Sequence, residues 1–457
     1  MPRRLFPLSA AAVVVAALVA AAAPSAQQQT PPPASAPQAP PGGGDVTLVL
    51  EPGQRAPFRL AFPAAVKPAG LAAEADSAAL ELEVTLRADL DASWGFAIQG
   101  PRALAPLTLT GDRVHDFEQY RSLGNEVVLL AEIDVERGQD RIVFEGRLYD
   151  LKSGQSILAK RYRGALSAAR QIAHTFADEV VQYLLGRRGI ALTSIAFASD
   201  RTGSKEIWAM DYDGGDPRQV TAHKSTSLSP AWRPDGQTLA YASFVGGAPG
   251  LYLANLATGR KTPLATQGDQ NISPSFSPDG RRVVYSRAFG ASTEIVVADL
   301  NGGNVSRLTY SSAIDTNPAW SPKGTEIAFS SGRAGNPNVY VMDAEGTNVR
   351  RISFGGNYND GASWSPAGDA VAYASRMGPA FDVVISDLVT LETKTLTHGE
   401  GSNEEPSFSP DGQHIAFTST RSGQKQIWVM DRDGGNAIQL TREGRNESPA
   451  WGPYPPE

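Results

Sequence analysis

Cysteine is absent from all 457 residues, which excludes disulfides, thiolate metal ligands and a cysteine-linked lipid anchor. Histidine is nearly as scarce, at five. Only His223, His398 and His414 lie in the second half, and they occupy different positions of the repeat described below. A metal-dependent lyase would want several of them converging on one point. No Gly-x-Ser-x-Gly elbow occurs, as an α/β-hydrolase domain would require. The formal net charge of −7 speaks against nucleic acid, whose ligands need a clustered basic face. No catalytic residue, cofactor site or metal site is expected, and the chain reads as a non-enzyme.

Long apolar runs are also missing, apart from Ala10 to Ala23, which is too short for a comfortable membrane span. With Arg3 and Arg4 before it and small residues around Pro24-Ser25-Ala26, residues 1–26 read as a secretory signal. The expected location is the periplasm, with membranes met only through partners. Residues 27–44 hold Gln27-Gln28-Gln29, Pro31-Pro32-Pro33 and Gly42-Gly43-Gly44. That composition cannot build a core and predicts a linker.

From 45 to 188 the pattern is mixed. Val46, Leu48 and Leu50 alternate as in a strand, whereas Ala79, Leu82, Leu86 and Leu90 recur at helical spacing. Val127 to Ile133, Arg141 to Tyr149 and Ile157 to Tyr162 predict three strands, broken by turn signals at Arg137-Gly138 and Ser153-Gly154. A second helix is expected to start at Ser167 as N-cap. It carries Ile172, Phe176, Val180 and Leu184, and stops at Gly186, with Arg187 and Arg188 facing its C-terminal dipole. The sum is a small α/β domain with one sheet covered by two helices. His174 and Asp178 stand four apart on the second helix. They could suggest a metal pair, but a solvated helix face without a third ligand is the expectation.

The rest, 189–457, is repetitive. Ser229-Pro230-Ala231-Trp232 followed by Pro234-Asp235-Gly236 returns every 44 residues, at Ser273, Asn317, more weakly Gly361, and Glu405, and last at Ser448, one residue early. Three further strand-like phrases keep the same step, as in Ile195-Ala196-Phe197, Ile207-Trp208 and Val220-Thr221. Four short strands in six copies predict a six-bladed β-propeller of WD40-like repeats. Pro-Asp-Gly supplies the preset φ, the local acceptor and the left-handed position of a tight turn. Asp211-Tyr212-Asp213-Gly214-Gly215 and Asp431-Arg432-Asp433-Gly434-Gly435 resemble the start of a calcium loop, but the Gly comes too early, so plain turns are expected. The first copy begins at its second strand and the last phrase stands alone. The C-terminal strand is therefore expected to complete blade one and close the ring.

Before each inner strand stands a polar residue: Ser227, Asn271, Asp315, Asn359, Asn403 and Asn446. With Gln270, Glu404, Glu405 and the loop arginines Arg201, Arg333 and Arg421, these positions predict a polar docking rim on one face, although Asn and Asp also shape turns.

The chain resembles the TolB family. The resemblance rests on Val46-Thr47-Leu48-Val49-Leu50, Arg87-Ala88-Asp89-Leu90, Arg147-Leu148-Tyr149-Asp150 and Ala173-His174-x-x-Ala177-Asp178-Glu179-Val180. The junction Gly189-Ile190-Ala191-Leu192-Thr193-Ser194-Ile195-Ala196-Phe197 adds most. It implies a non-enzymatic scaffold of the Tol-Pal system. The propeller face would bind a peptidoglycan-associated lipoprotein (Pal-like) through Gln270, Asn271, Asp315, Asn359, Asn403, Glu404 and Glu405. The segment Asp45, Val46, Thr47, Leu48, Val49, Leu50 and Glu51 would engage a TolA-like inner-membrane protein. A propeller binding a sugar or another protein is the alternative, and a propeller hydrolase or lyase the weaker one.

Overall fold

Ten-residue strands need partners on both sides or a cover. In the computed structural model, which describes residues 56–136 and 140–456, the three expected strands pair as an antiparallel meander. They are Val127–Glu136, Arg141–Asp150 and Ser156–Ala165. Two four-residue strands extend the sheet in parallel, Phe58–Ala61 beside Val127 and then Phe96–Gln99 at the edge. The segments 1–26, 27–44 and 45–51 lie outside the described residues.

The two expected helices, Ala73–Ala92 and Ala169–Leu185, bury Leu82, Leu86 and Leu90 with Ile172, Phe176 and Val180 against Leu129, Phe144 and Leu148. Apolar residues at i, i+4 and i+8 form one stripe and so seat each helix on a sheet. The expectation of only two covering helices is corrected. Arg113–Ser122 packs Phe117 and Tyr120 on the other sheet face with Val128, Tyr149 and Leu151. Two buried residues in ten gave it no readable stripe. Ser167 is not an N-cap: it lies in a 3-10 turn, Leu166–Ala168, and the cap residue is Ala168, without a side-chain bond. Gly186 does stop the helix, in the left-handed region at φ 69°.

Beyond Thr193 six four-stranded sheets form the propeller. Strand Asn446–Trp451 pairs antiparallel with Ser194–Thr202, so the C-terminal strand is the innermost of blade one and closes the ring as expected. Every inner strand carries a bulge at one repeat position. Ser229, Ser273, Asn317, Gly361, Glu405 and Ser448 all have φ between 50° and 69°, and pairing shifts register there. The Thr or Ser after the short outer strand has a fixed task in five of the six blades. Thr221, Thr309, Ser353, Thr397 and Thr441 accept the N–H of Ile207, Ile295, Val339, Val383 and Ile427 at 2.8–3.0 Å. A hydroxyl thus takes over where the outer ladder runs out.

Candidate protein-docking face

Alternating strand direction puts the turns between strands one and two, and three and four, at one end of the propeller. Those between two and three, and between blades, lie at the other end. The second end presents large apolar side chains. Phe289, Tyr310, Ile314, Phe354, Tyr358 and Met377 are 37%, 77%, 51%, 59%, 36% and 50% exposed, on loops of blades three to five. They are held rather than loose. Arg307 lies 4.7 Å from the Phe289 ring centre and 4.6 Å from that of Tyr310, with its Nη2 on the buried Glu294 at 2.6 Å. Arg351 sits under Phe354, Tyr358 stands edge-on to Phe381 at 5.5 Å, and Met377 reaches over Gly355.

The first end is covered by the α/β region. Asp89 and His174, from the two stripe helices, meet blade one's hairpin. Asp89 accepts from His174 Nδ1 and from the Tyr212 hydroxyl, both at 2.8 Å. Arg170 Nη2 donates to both Asp213 oxygens at 2.7 and 2.8 Å, while His174 Nε2 lies 3.6 Å from Asp211. Burial opposes a charged imidazole, but the Asp211 and Asp89 carboxylates outweigh it and hold His174 up at about 9. One turn on, Asp178 accepts the N–H groups of Ala191 and Leu192 in the connector. Burial raises it to about 6 against those two bonds. Trp451 donates to Thr193, Arg187 to Asp411, and the Trp94 ring packs tilted against His414 at 4.9 Å. A single apolar core runs from Leu82 and Phe176 through Ile195 and Tyr212 to Trp451.

The two parts joined here are each matched by a family model. The family described as "TolB beta propeller domain" fits residues 181–455, and "TolB amino-terminal domain" fits 55–157. The chain belongs to the TolB family. It is 39% identical over 153 residues to the Tol-Pal system protein TolB of Desulfosudis oleivorans, covering 34% of each chain. To a protein TolB homolog of Chlorobium chlorochromatii it is 34% identical over 171 residues, 37% of this chain and 38% of that one. The alignments thus span little more than a third of these curated relatives. The crystal structure of TolB from Acinetobacter baumannii superposes with a TM-score of 0.73 at 27% identity, covering 87% of this chain and 97% of that one. Among the described residues no helix is long and apolar enough to cross a membrane.

On this TolB-type propeller the expected polar rim needs correction. Asn271, Asp315, Asn359 and Asn403 are at most 1% exposed, because each heads an inner strand and bonds to the loop beside it. Asn359 Nδ2, for example, donates to Asn338 and to the Gly355 carbonyl. The three arginines lie in their own blades. Arg201, Arg333 and Arg421 donate through Nε to Ser199, Ser331 and Ser419, and through Nη2 to Asn446, Asp315 and Asn403. They lie over Trp208, Tyr340 and Trp428 at 4.6–5.0 Å. Glu405 points into the blade junction, where Thr418 and Ser448 bond to it. Gln270 and Glu404 remain half-exposed, and Asp45 to Glu51 lie outside the described residues.

Two further expectations change. Neither His174 nor Asp178 is on a solvated face: both are tied into the domain junction, and a third candidate ligand is present. Donor atoms of Asp89, His174 and Asp213 lie within 4.8 Å of one another. Those atoms are already committed to Tyr212, to each other and to the Arg170 guanidinium, which supplies the positive charge a metal would bring. Arg187 and Arg188 leave their helix end to bind Asp411, Ser93 and Pro455. The Asp-rich hairpins are turns as expected, with Asp211 and Asp431 donating their N–H to Gly215 and Gly435.

The exposed aromatics escaped the repeat reading, which favours what recurs. The available signal was a departure. Tyr310 and Phe354 stand one 44-residue step apart where the other copies have Ala222, Thr266, His398 and Arg442.

Proposed function

We propose that this chain is the periplasmic, non-enzymatic scaffold of a Tol-Pal system. On this reading it reaches the periplasm through residues 1–26. Its propeller binds a peptidoglycan-associated lipoprotein, and Asp45 to Glu51 bind a TolA-like inner-membrane protein. The complex keeps the outer membrane attached and drawn inward during division. The observation that carries the reading is the exposed aromatic arc on the propeller end left open by the α/β region. Exposed aromatic and apolar side chains of this kind are what a protein partner covers. Membership of the TolB family supplies the system. Recovery of the lipoprotein from an envelope extract on the immobilised mature chain is the expected result. Failure to recover it with a folded bait would leave a general binding propeller.

A further inference from the structure

The partner's chemistry can be taken one step further, resting on the docking reading above. Blades three to five carry five arginines at the open end: Arg287, Arg307, Arg333, Arg351 and Arg376. Arg307 and Arg333 are ion-paired to the buried Glu294 and Asp315. Arg287, Arg351 and Arg376 have no carboxylate within ion-pair distance among the described residues. Two nearby carboxylates are turned inward: Asp360 accepts from Asn317, Ser330 and its neighbour's N–H, and Asp382 from Thr397 and Gly399. The arc is therefore aromatic and cationic together. Aromatic and arginine side chains dominate the energetics of protein interfaces when both are held in place beforehand. Tyr310 and Phe354 meet that condition, each resting on an arginine that is itself hydrogen-bonded to a carbonyl two residues on, Thr309 and Ser353.

We infer that the docking site is centred on Tyr310 and Phe354 rather than on the Asn ring or Glu404. It takes a protein surface that presents apolar side chains flanked by carboxylates, which pair with Arg351, Arg376 and Arg287. Apolar side chains of the partner seat against the Tyr310 and Phe354 rings. The carboxylates find guanidinium donors without an internal carboxylate partner among the described residues, so no ion pair has to break when the contact forms.

The test titrates the full mature chain with the soluble domain of the peptidoglycan-associated lipoprotein from the same cells, by calorimetry at two salt concentrations. Tyr310→Ala and Phe354→Ala should each weaken binding about tenfold or more. Arg351→Glu should weaken it and flatten its salt dependence. Val389→Ala, an exposed residue at the opposite end, should change it less than about twofold. Unchanged melting curves would show that the variants fold. Wild-type affinity in both aromatic variants would overturn the inference while leaving the lipoprotein as partner. If the wild type does not bind the lipoprotein, the functional reading falls, and a photo-cross-linking residue placed in turn at 310, 354 and 404, in cells, decides the site. Adducts on a segment rich in Asp and Glu would uphold it. Adducts only from position 404, or none, would overturn it.

Discussion

The Tyr212 hydroxyl donates to Asp89 at 2.8 Å, joining a propeller hairpin to the first helix of the α/β region. Asp89 also holds His174, so one carboxylate closes the junction from both sides. Removing it would leave a charged imidazole buried with less compensation. Asp89→Ala should cost about 3–5 kcal/mol, whereas Tyr212→Phe removes one neutral donor and should cost about 1–2 kcal/mol. Denaturant unfolding of the whole chain measures both. Equal small losses would show that the cluster is not a unit.

Asp178 gives the junction a pH dependence. Its carboxyl is raised to about 6 from an ordinary 3.8, so the folded chain binds this proton more tightly than the unfolded one. The contribution is fully present below about 3.8 and is lost as pH rises through about 6. Asp178→Asn keeps an acceptor for the connector and cannot titrate. The melting-temperature advantage of wild type over Asp178→Asn should therefore grow as pH is lowered from 7.5 to 5. A difference that is flat with pH would refute the shift.

How much of this was legible depended on repetition. The blades, their closure and the two stripe helices were readable because each rests on a period, 44 residues or 3.6. Phe58–Ala61 and Phe96–Gln99 were not, since four residues carry no alternation. The junction was partly visible: Asp89, His174 and Asp178 stood inside the motifs that resembled the family. That they converge on Asp211 to Asp213 required the fold, because the hairpin's Asp residues look like any turn. The repeated polar position admits two readings, docking rim or turn shaping, and in all six copies the side chain is buried. A residue repeated six times at strand entry serves the blade, and Asn403 and Asn446 serve it by bonding across to Asp382 and Gln426.

Closure by the C-terminal strand makes the last residues structural. Trp451 is 7% exposed and its indole donates to Thr193 at 2.9 Å. Deleting 447–457 strips blade one of its inner strand and exposes the edge of Ser194–Thr202. A sharply lower melting temperature with loss of a single cooperative transition is expected. Trp451→Ala alone should cost about 3–5 kcal/mol. An unchanged melting temperature in the deletion would show that the ring holds without this strand.

Glu404 and Glu405 are adjacent but answer to different physics. Glu404 is half-exposed beside Lys425, at 3.8 Å. Glu405 stands at the bulge, at φ 56°, and accepts from Thr418 and from the Ser448 N–H at 2.7 Å and the Ser448 hydroxyl at 2.8 Å. It therefore staples blade six to the closing strand. Glu405→Lys would replace an acceptor with a donor facing two hydroxyls and an N–H, and should destabilise by about 2–4 kcal/mol. Glu404→Lys should stay within about 1 kcal/mol, because an exposed pair contributes little. Thermal melts of the two single variants separate the cases. Equal stability would mean that the Ser448 contacts carry no weight. A clear gap would show that Glu405, and not Glu404, holds the closing strand.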